Sequence, residues 1–185
     1  RTLGIIGLGQ IGDEVARRAK IFGMPVIAAT RTPSPDRAAA LRIDQLVGLD
    51  ELDRVLANAD IVVVAVPLGP ATTGLLGSEE LATMKRDAFL INVARGPVID
   101  EDALYEALAA RSIAGAALDV WYRYPDDKVH GAPSTRPFHE LDNVILTPHI
   151  AGWTHGTFAH RWSRINENLR RLSTGEPLLG AVTGS

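Results

Sequence analysis

Apolar residues in this chain come in short, nearly unbroken runs at 2–6, 26–29, 61–66, 88–93, 114–119 and 144–146. Runs apolar on both faces predict strands covered by helices on both sides, as in a parallel sheet. Between them, apolar residues at helical spacing predict helices over 11–22, 49–57, 78–84 and 101–111. Asp50 and Ser78 are positioned as N-caps, and Gly23 as the stop of the first helix. A last helix over 154–173 has Phe158, Trp162, Ile165, Leu169 and Leu172 along one face. Strand–helix alternation of this kind predicts an α/β, Rossmann-type doubly wound parallel sheet with helices on both faces. The long irregular stretch at 120–141 is rich in Pro, Gly, Asp and aromatic residues. A loop of that length in a compact domain is commonly functional or disordered.

Composition narrows the function classes. At 185 residues, with 46% apolar and 22% charged residues, the chain reads as one large globular domain or two small ones. A net charge of −3 and no basic run argue against a nucleic-acid or anionic-membrane partner. No stretch reads as a signal peptide. The longest apolar stretch, 59–68, contains Asp60 and Pro67 and is too short to span a bilayer. The chain has no Cys, which removes disulfides and thiolate metal sites and fits a cytoplasmic location.

The first predicted strand runs into Gly7-Leu8-Gly9-Gln10-Ile11-Gly12, and a helix follows. Gly7 permits a tight turn, Gly9 lets backbone approach a pyrophosphate, and Gly12 allows the helix to pack closely. The helix N-terminus, with Gln10 and Ile11, adds amides and a positive dipole end. Dinucleotide binding is the expectation. In NAD-binding folds an acid ending the second strand holds the ribose 2′-hydroxyl, but here Thr30 fills that place and Arg31 follows. A neutral residue and a cation favour NADP(H). NAD(H) stays possible, with Arg31 stacked on the adenine.

Three further segments carry a family resemblance: INVARGPVIDEDAL at 91–104, AGAALDVW at 114–121 and NVILTPHIAGWT at 143–154. With GLGQIG, in this order, the chain resembles the D-2-hydroxyacid dehydrogenases along nearly its whole length. The resemblance implies an NAD(P)-dependent oxidoreductase moving hydride between nicotinamide and a 2-keto or 2-hydroxy acid, as a 2-ketoacid reductase. It implies that Arg95 clamps the substrate carboxylate and polarises its carbonyl. His149 is implied as the acid/base and Asp119 as the group that orients the carboxamide. Val66, Pro67, Val93, Ala94, Ala151 and Gly152 are implied to line the cleft. A homodimer through the cofactor domains, with 97–118 at the interface, is implied as well. Other polar residues carry less. His155 and His160 lack metal-ligand spacing, so no metal is expected, and Ser78 and Ser163 lack a hydrolase setting. Glu79-Glu80 and Asp100-Glu101-Asp102 sit where helix starts favour acids.

Two departures matter. The family pattern D-V-F-x-x-E-P supplies a Glu that pairs with the catalytic His; here DVWYRYP has Tyr124 in that place. A phenol can hydrogen-bond an imidazole but is neutral near pH 7. His149 is therefore expected to work without a carboxylate partner, unless Asp126, Asp127 or Glu140 supplies one. Trp121 and Tyr122 are expected to form a wall beyond Asp119. Formate dehydrogenases, a branch with an amide at this position, give an alternative activity. A non-catalytic dinucleotide-sensing or interaction module of corepressor type is another. A methyltransferase-type reading is disfavoured by Gly12 and by the missing acid. The second departure is that the chain starts at its first Rossmann strand. The expected organisation is a dinucleotide-binding domain over 1–153, then over 154–185 a crossover helix and tail belonging to an absent substrate domain. Such a chain alone should bind dinucleotide and turn over little or no substrate.

Overall fold

The computed structural model describes residues 1–124 and 131–181. It divides into two compact units, Arg1–His149 and Ile150–Ser185. Asp126 and Asp127 lie outside the described residues.

Among the described residues the first unit has one seven-stranded sheet in the order β3-β2-β1-β4-β5-β6-β7, with every pair parallel. The strands are β1 (Leu3–Ile6), β2 (Val26–Thr30), β3 (Gln45–Gly48), β4 (Ile61–Val64), β5 (Phe89–Asn92), β6 (Gly115–Leu118) and β7 (Val144–Leu146). Helices α1 (Gln10–Ile21), α2 (Pro35–Leu41), α3 (Leu52–Asn58), α4 (Ser78–Thr83) and α5 (Glu101–Ala109) connect them. Successive residues of a strand point to opposite faces, so the continuous apolar runs feed two cores. Leu3, Ile5, Val26, Ala28 and Val63 pack with Ala16 and Ala19 of α1 and Leu41 of α2. Ile6, Ile27, Val62 and Val64 pack with Val55, Leu81 and Leu104 of α3, α4 and α5.

The fold class expected from the sequence is present, with local corrections. β3 and α2 were not expected. β3 is an edge strand with one buried residue, Val47, so its sequence lacks a strong apolar run. α2 is short and Ala-rich, yet Ser34 caps it by accepting the Arg37 amide and Pro35 opens it. That Ser-Pro start was a legible signal. Asp50 lies inside a 3₁₀ turn (Leu49–Glu51) and caps nothing. Ser78 is the first helical residue of α4; Gly77 is the cap, and its amide donates to Glu80 Oε2 at 2.9 Å. In the second unit α6 spans Thr157–Thr174, three residues later at its start than the apolar spacing suggests, because Thr157 Oγ1 bonds back to the turn at Thr154. Its residues Phe158, Trp162, Ile165, Leu169 and Leu172 are exposed.

Asp60 ties the start of β4 to β1. It accepts the Thr2 amide at 2.6 Å and Lys85 Nζ at 2.9 Å. The amide and then the ammonium hold its carboxyl below the ordinary Asp range. A depressed folded-state pKa contributes stability above the unfolded value, about 3.9, that is lost as pH falls through the lower folded value. Asp60→Asn is therefore expected to melt below the parent at pH 7, with the gap closing below about pH 4. Thermal melts followed across that range by circular dichroism would show it; a gap independent of pH would contradict it.

Candidate functional site

Strand order turns around between β1 and β4, and the crevice outside their carboxyl ends is where open α/β sheets collect ligands. Gly7 leaves β1 with φ 98°, and its amide bonds the Ala29 carbonyl at 2.8 Å. α1 then starts so close to this turn that a β-carbon on Gly12 would lie 2.0 Å from the Gly7 oxygen. Around Gly9 a β-carbon would meet nothing within 4 Å, so backbone there is open to a ligand.

Two adjoining pockets meet at this turn. One, about 520 Å³, runs from Gly7 and Gly9 past Val66 and Pro67 to Thr30, Arg31 and Arg37. The other, about 510 Å³, shares Gly9 and 65–68 and runs past Gln10, Ile11, Val93 and Ala94 to Arg95. Together they form one groove, with Arg31 and Arg37 at one end and Arg95 at the other. Its outer wall at 67–72 is fastened by Thr72, whose hydroxyl donates to the Pro67 carbonyl at 2.6 Å and accepts the Gly69 amide at 2.9 Å. Bare backbone at a helix start inside such a groove suits a pyrophosphate.

Arg95 follows β5 and is exposed. Its turn is built by buried Asn92, which accepts the Ala94 amide at 3.0 Å and donates to the Arg95 carbonyl at 3.1 Å. Arg95 Nη1 donates to the Ala94 carbonyl at 2.6 Å, and among the described residues the rest of the fork meets no other acceptor. The turn rests against the segment after β6, where a β-carbon on Gly96 would sit 2.4 Å from the Trp121 carbonyl.

That segment forms a second group. Asp119 is buried and accepts the Thr147 hydroxyl at 2.6 Å, while Trp121 Nε1 donates to the Thr147 carbonyl at 3.0 Å. His149 is exposed and has φ 57°. Its ring lies 5.4 Å from that of Tyr124, tilted by 51°. The Tyr124 hydroxyl accepts the Trp121 amide at 3.1 Å. Tyr124 thus sets its ring beside that of His149 while its oxygen accepts from backbone. Glu140 is exposed, with His139 4.0 Å away.

The expected residues fall into three places. Gly7, Gly9, Gln10, Ile11, Thr30, Arg31, Val66, Pro67, Val93, Ala94 and Arg95 share the groove, with Gly12 buried beneath it. Asp119, Tyr124 and His149 gather beyond β6 and β7, outside the groove lining. Ala151 and Gly152 open the second unit, where the Gly152 carbonyl accepts Thr157 Oγ1 at 3.1 Å. Tyr122 corrects the expectation of a site wall. It stacks on buried Phe138 at 6.4 Å, and burial, then the charges of Glu101, Asp100 and Asp102, push its hydroxyl pKa up. The acids at α5 also do more than start a helix. Asp100 caps it through the Ala103 amide, but Glu101 accepts from Ser134, Thr135 and Arg136, and Asp102 pairs with Arg136. Burial raises the Glu101 carboxyl, yet these donors outweigh it and leave the group below the ordinary Glu range. Asn92, Thr72, Thr147 and Arg37 were not singled out in the sequence. The Asn before V-A-R-G and the Ser-Pro start of α2 were the available signals. Among the described residues no helix is long and apolar enough to cross a membrane, and no three His, Asp or Glu side chains group as metal ligands.

The family profile of the D-isomer specific 2-hydroxyacid dehydrogenase NAD binding domain matches residues 1–151. A glyoxylate reductase from Korarchaeum cryptofilum is 40% identical over 176 residues, covering 95% of this chain and 50% of the relative. A D-isomer specific 2-hydroxyacid dehydrogenase from Xanthobacter autotrophicus Py2, solved with NADPH and MES, is 39% identical. Its TM-score is 0.81, over 98% of this chain and 70% of that one. D-lactate dehydrogenase from Lactobacillus jensenii, solved with NAD+, has a TM-score of 0.81 at 32% identity, over 100% of this chain and 56% of that one. The chain spans half or less of the length of the curated relatives named first, glyoxylate reductase and D-3-phosphoglycerate dehydrogenase.

Proposed function

The chain belongs to the D-isomer specific 2-hydroxyacid dehydrogenase family, by its NAD-binding domain, and on that premise we propose that it is the coenzyme-binding part of a 2-ketoacid reductase. The observation that carries the reading is the groove itself. It passes the open backbone at Gly9, follows the switch point, and ends at the Arg95 guanidinium. When bound, the dinucleotide supplies hydride. Arg95 offers its remaining N–H groups to a carboxylate and the adjoining carbonyl, where a planar fork fits two oxygens. His149 holds the proton destined for the carbonyl oxygen. Asp119, fixed by Thr147, orients the carboxamide. Residues 1–153 form this part, and 154–185 form a crossover helix and tail belonging with a substrate-binding part. The exposed Trp162 and Leu172 support that assignment. The same reading includes a cytoplasmic setting and a homodimer with 97–118 at the interface. Val98, Leu104 and Ile113 of that segment are buried within this chain, so its outward side chains would meet the partner.

NADP(H) is the preferred coenzyme in this reading. Thr30 removes the usual acid, and Arg31 lines the same end of the groove, exposed. A fluorescence titration with NADH and NADPH tests both points. NADPH is expected to bind more tightly, and Arg31→Ala to weaken NADPH about tenfold, the scale of one charge-assisted contact, with little effect on NADH. No binding of either nucleotide would end the coenzyme reading; equal losses for both would end the Arg31 assignment. Tyr124 supports a second reading, a dinucleotide-sensing module without turnover, because the neutral ring stands where a carboxylate would serve His149.

A further inference from the structure

Arg31 is not alone at its end of the groove. α2 brings Arg37 back to the pocket lined by Thr30, Arg31 and Thr32, and the Ser34 cap fixes where that residue leaves the helix. Its guanidinium grips Asp13 of α1: Nε to Oδ1 at 3.2 Å, Nη2 to Oδ1 at 2.9 Å and to Oδ2 at 2.8 Å. Nη1 makes no hydrogen bond among the described residues, so one edge of the fork stays available to a further anion. The Arg37 side chain is 44% exposed and that of Asp13 18%. The guanidinium bonds both carboxylate oxygens, a geometry that fixes the orientation of the Arg37 side chain.

Resting on the dinucleotide reading above, we infer that Arg37 is a second cation for the ribose 2′-phosphate, and that Asp13 sets its strength. Asp13 holds the guanidinium at the groove and cancels part of its charge, which tempers the discrimination between NADPH and NADH. The two partners therefore have opposite effects on one quantity, the ratio of the NADH to the NADPH dissociation constant. Removing the cation lowers that ratio. Removing the carboxylate charge, while keeping an acceptor in place, raises it. NADH has no 2′-phosphate and should respond to neither. A pair that only ties α1 to α2 would move both nucleotides together and in one direction.

The test is titration of the chain with NADH and NADPH, by fluorescence or calorimetry, for the parent, Arg37→Gln, Asp13→Asn and the double variant. Arg37→Gln is expected to lower the ratio about fivefold to tenfold and Asp13→Asn to raise it about threefold, as for a charged contact to phosphate. The double variant should match Arg37→Gln, because Asp13 acts through Arg37. Arg37→Lys, which keeps the charge and loses the fork, should fall between parent and Arg37→Gln and guards against a poorly folded glutamine variant. Shifts of the two single variants in the same direction, or equal changes for both nucleotides, would overturn the inference. So would a double variant that keeps the Asp13→Asn rise. The parent's own ratio reports on the Arg31 reading; the change of ratio on substitution reports on the Arg37–Asp13 pair. Either can fail without the other.

Discussion

Gly12→Ala is expected to abolish dinucleotide binding. The new β-carbon would stand 2.0 Å from the Gly7 oxygen and 3.1 Å from its carbon. Gly7 cannot retreat readily. Its amide is bonded to Ala29, and its own β position is already 2.9 Å from the Ala65 backbone. The start of α1 must therefore move away from β1, opening the space beneath the groove and turning its first amides from the ligand. Ala16 and Ala19, packed against Ile5 and Val26, move with it. An affinity loss above about 100-fold, about 2.8 kcal/mol, is expected for NADH and NADPH alike, with a lower melting temperature. Binding within about threefold of the parent would remove this groove as the dinucleotide site.

The other large effect concerns chemistry. In a protein carrying this chain together with a substrate-binding part, His149→Ala is expected to lower ketoacid turnover by about 10²–10⁴ through loss of the proton donor. Arg95→Ala is expected to lower it by about 10²–10³ through loss of a donor to the developing oxyanion, and Arg95→Lys to recover only part, lacking the fork. Coenzyme affinity should hold in the His149 variant, because that side chain lies outside the groove lining. Tyr124→Glu adds a negative charge where the phenol ring now faces His149. A carboxylate there favours the protonated imidazole, so the limb of the pH–rate profile that reports this group should move to higher pH. An unmoved limb would mean that Tyr124 has no bearing on the proton. Turnover insensitive to both His149→Ala and Arg95→Ala would remove the assigned chemistry, and no turnover in the parent would favour the sensing module.

Much of this was legible in the chain because the relevant physics is local. Gly7, Gly9 and Gly12 lie close together where β1 passes into α1, and backbone freedom and close approach there are set by residues near one another in the chain. The apolar runs of β1, β2, β4 and β6 lie on strands buried on both faces, so composition alone announces them, and β5 keeps the run although Phe89 on one face is exposed. β3 escaped because an edge strand needs less apolar surface, and α2 because alanines give no stripe.

The sequence by itself determined six of the seven strands and the glycine turn, and through the family resemblance it named the residues expected at the site. Only the tertiary structure decided what holds them. Asn92, at the end of β5, pins the turn that carries Arg95, Thr147 reaches Asp119 across neighbouring strands, and Asp13 restrains Arg37 from another helix. In LDVWYRYP, Tyr122 turned out to be half-buried, packed on the core beside Phe138, and Tyr124 a ring beside His149 whose hydroxyl accepts the Trp121 amide. Hydrogen bonds and ring contacts depend on distances of a few ångströms between segments far apart in the chain. Residue spacing carries no record of those distances until the strands have paired.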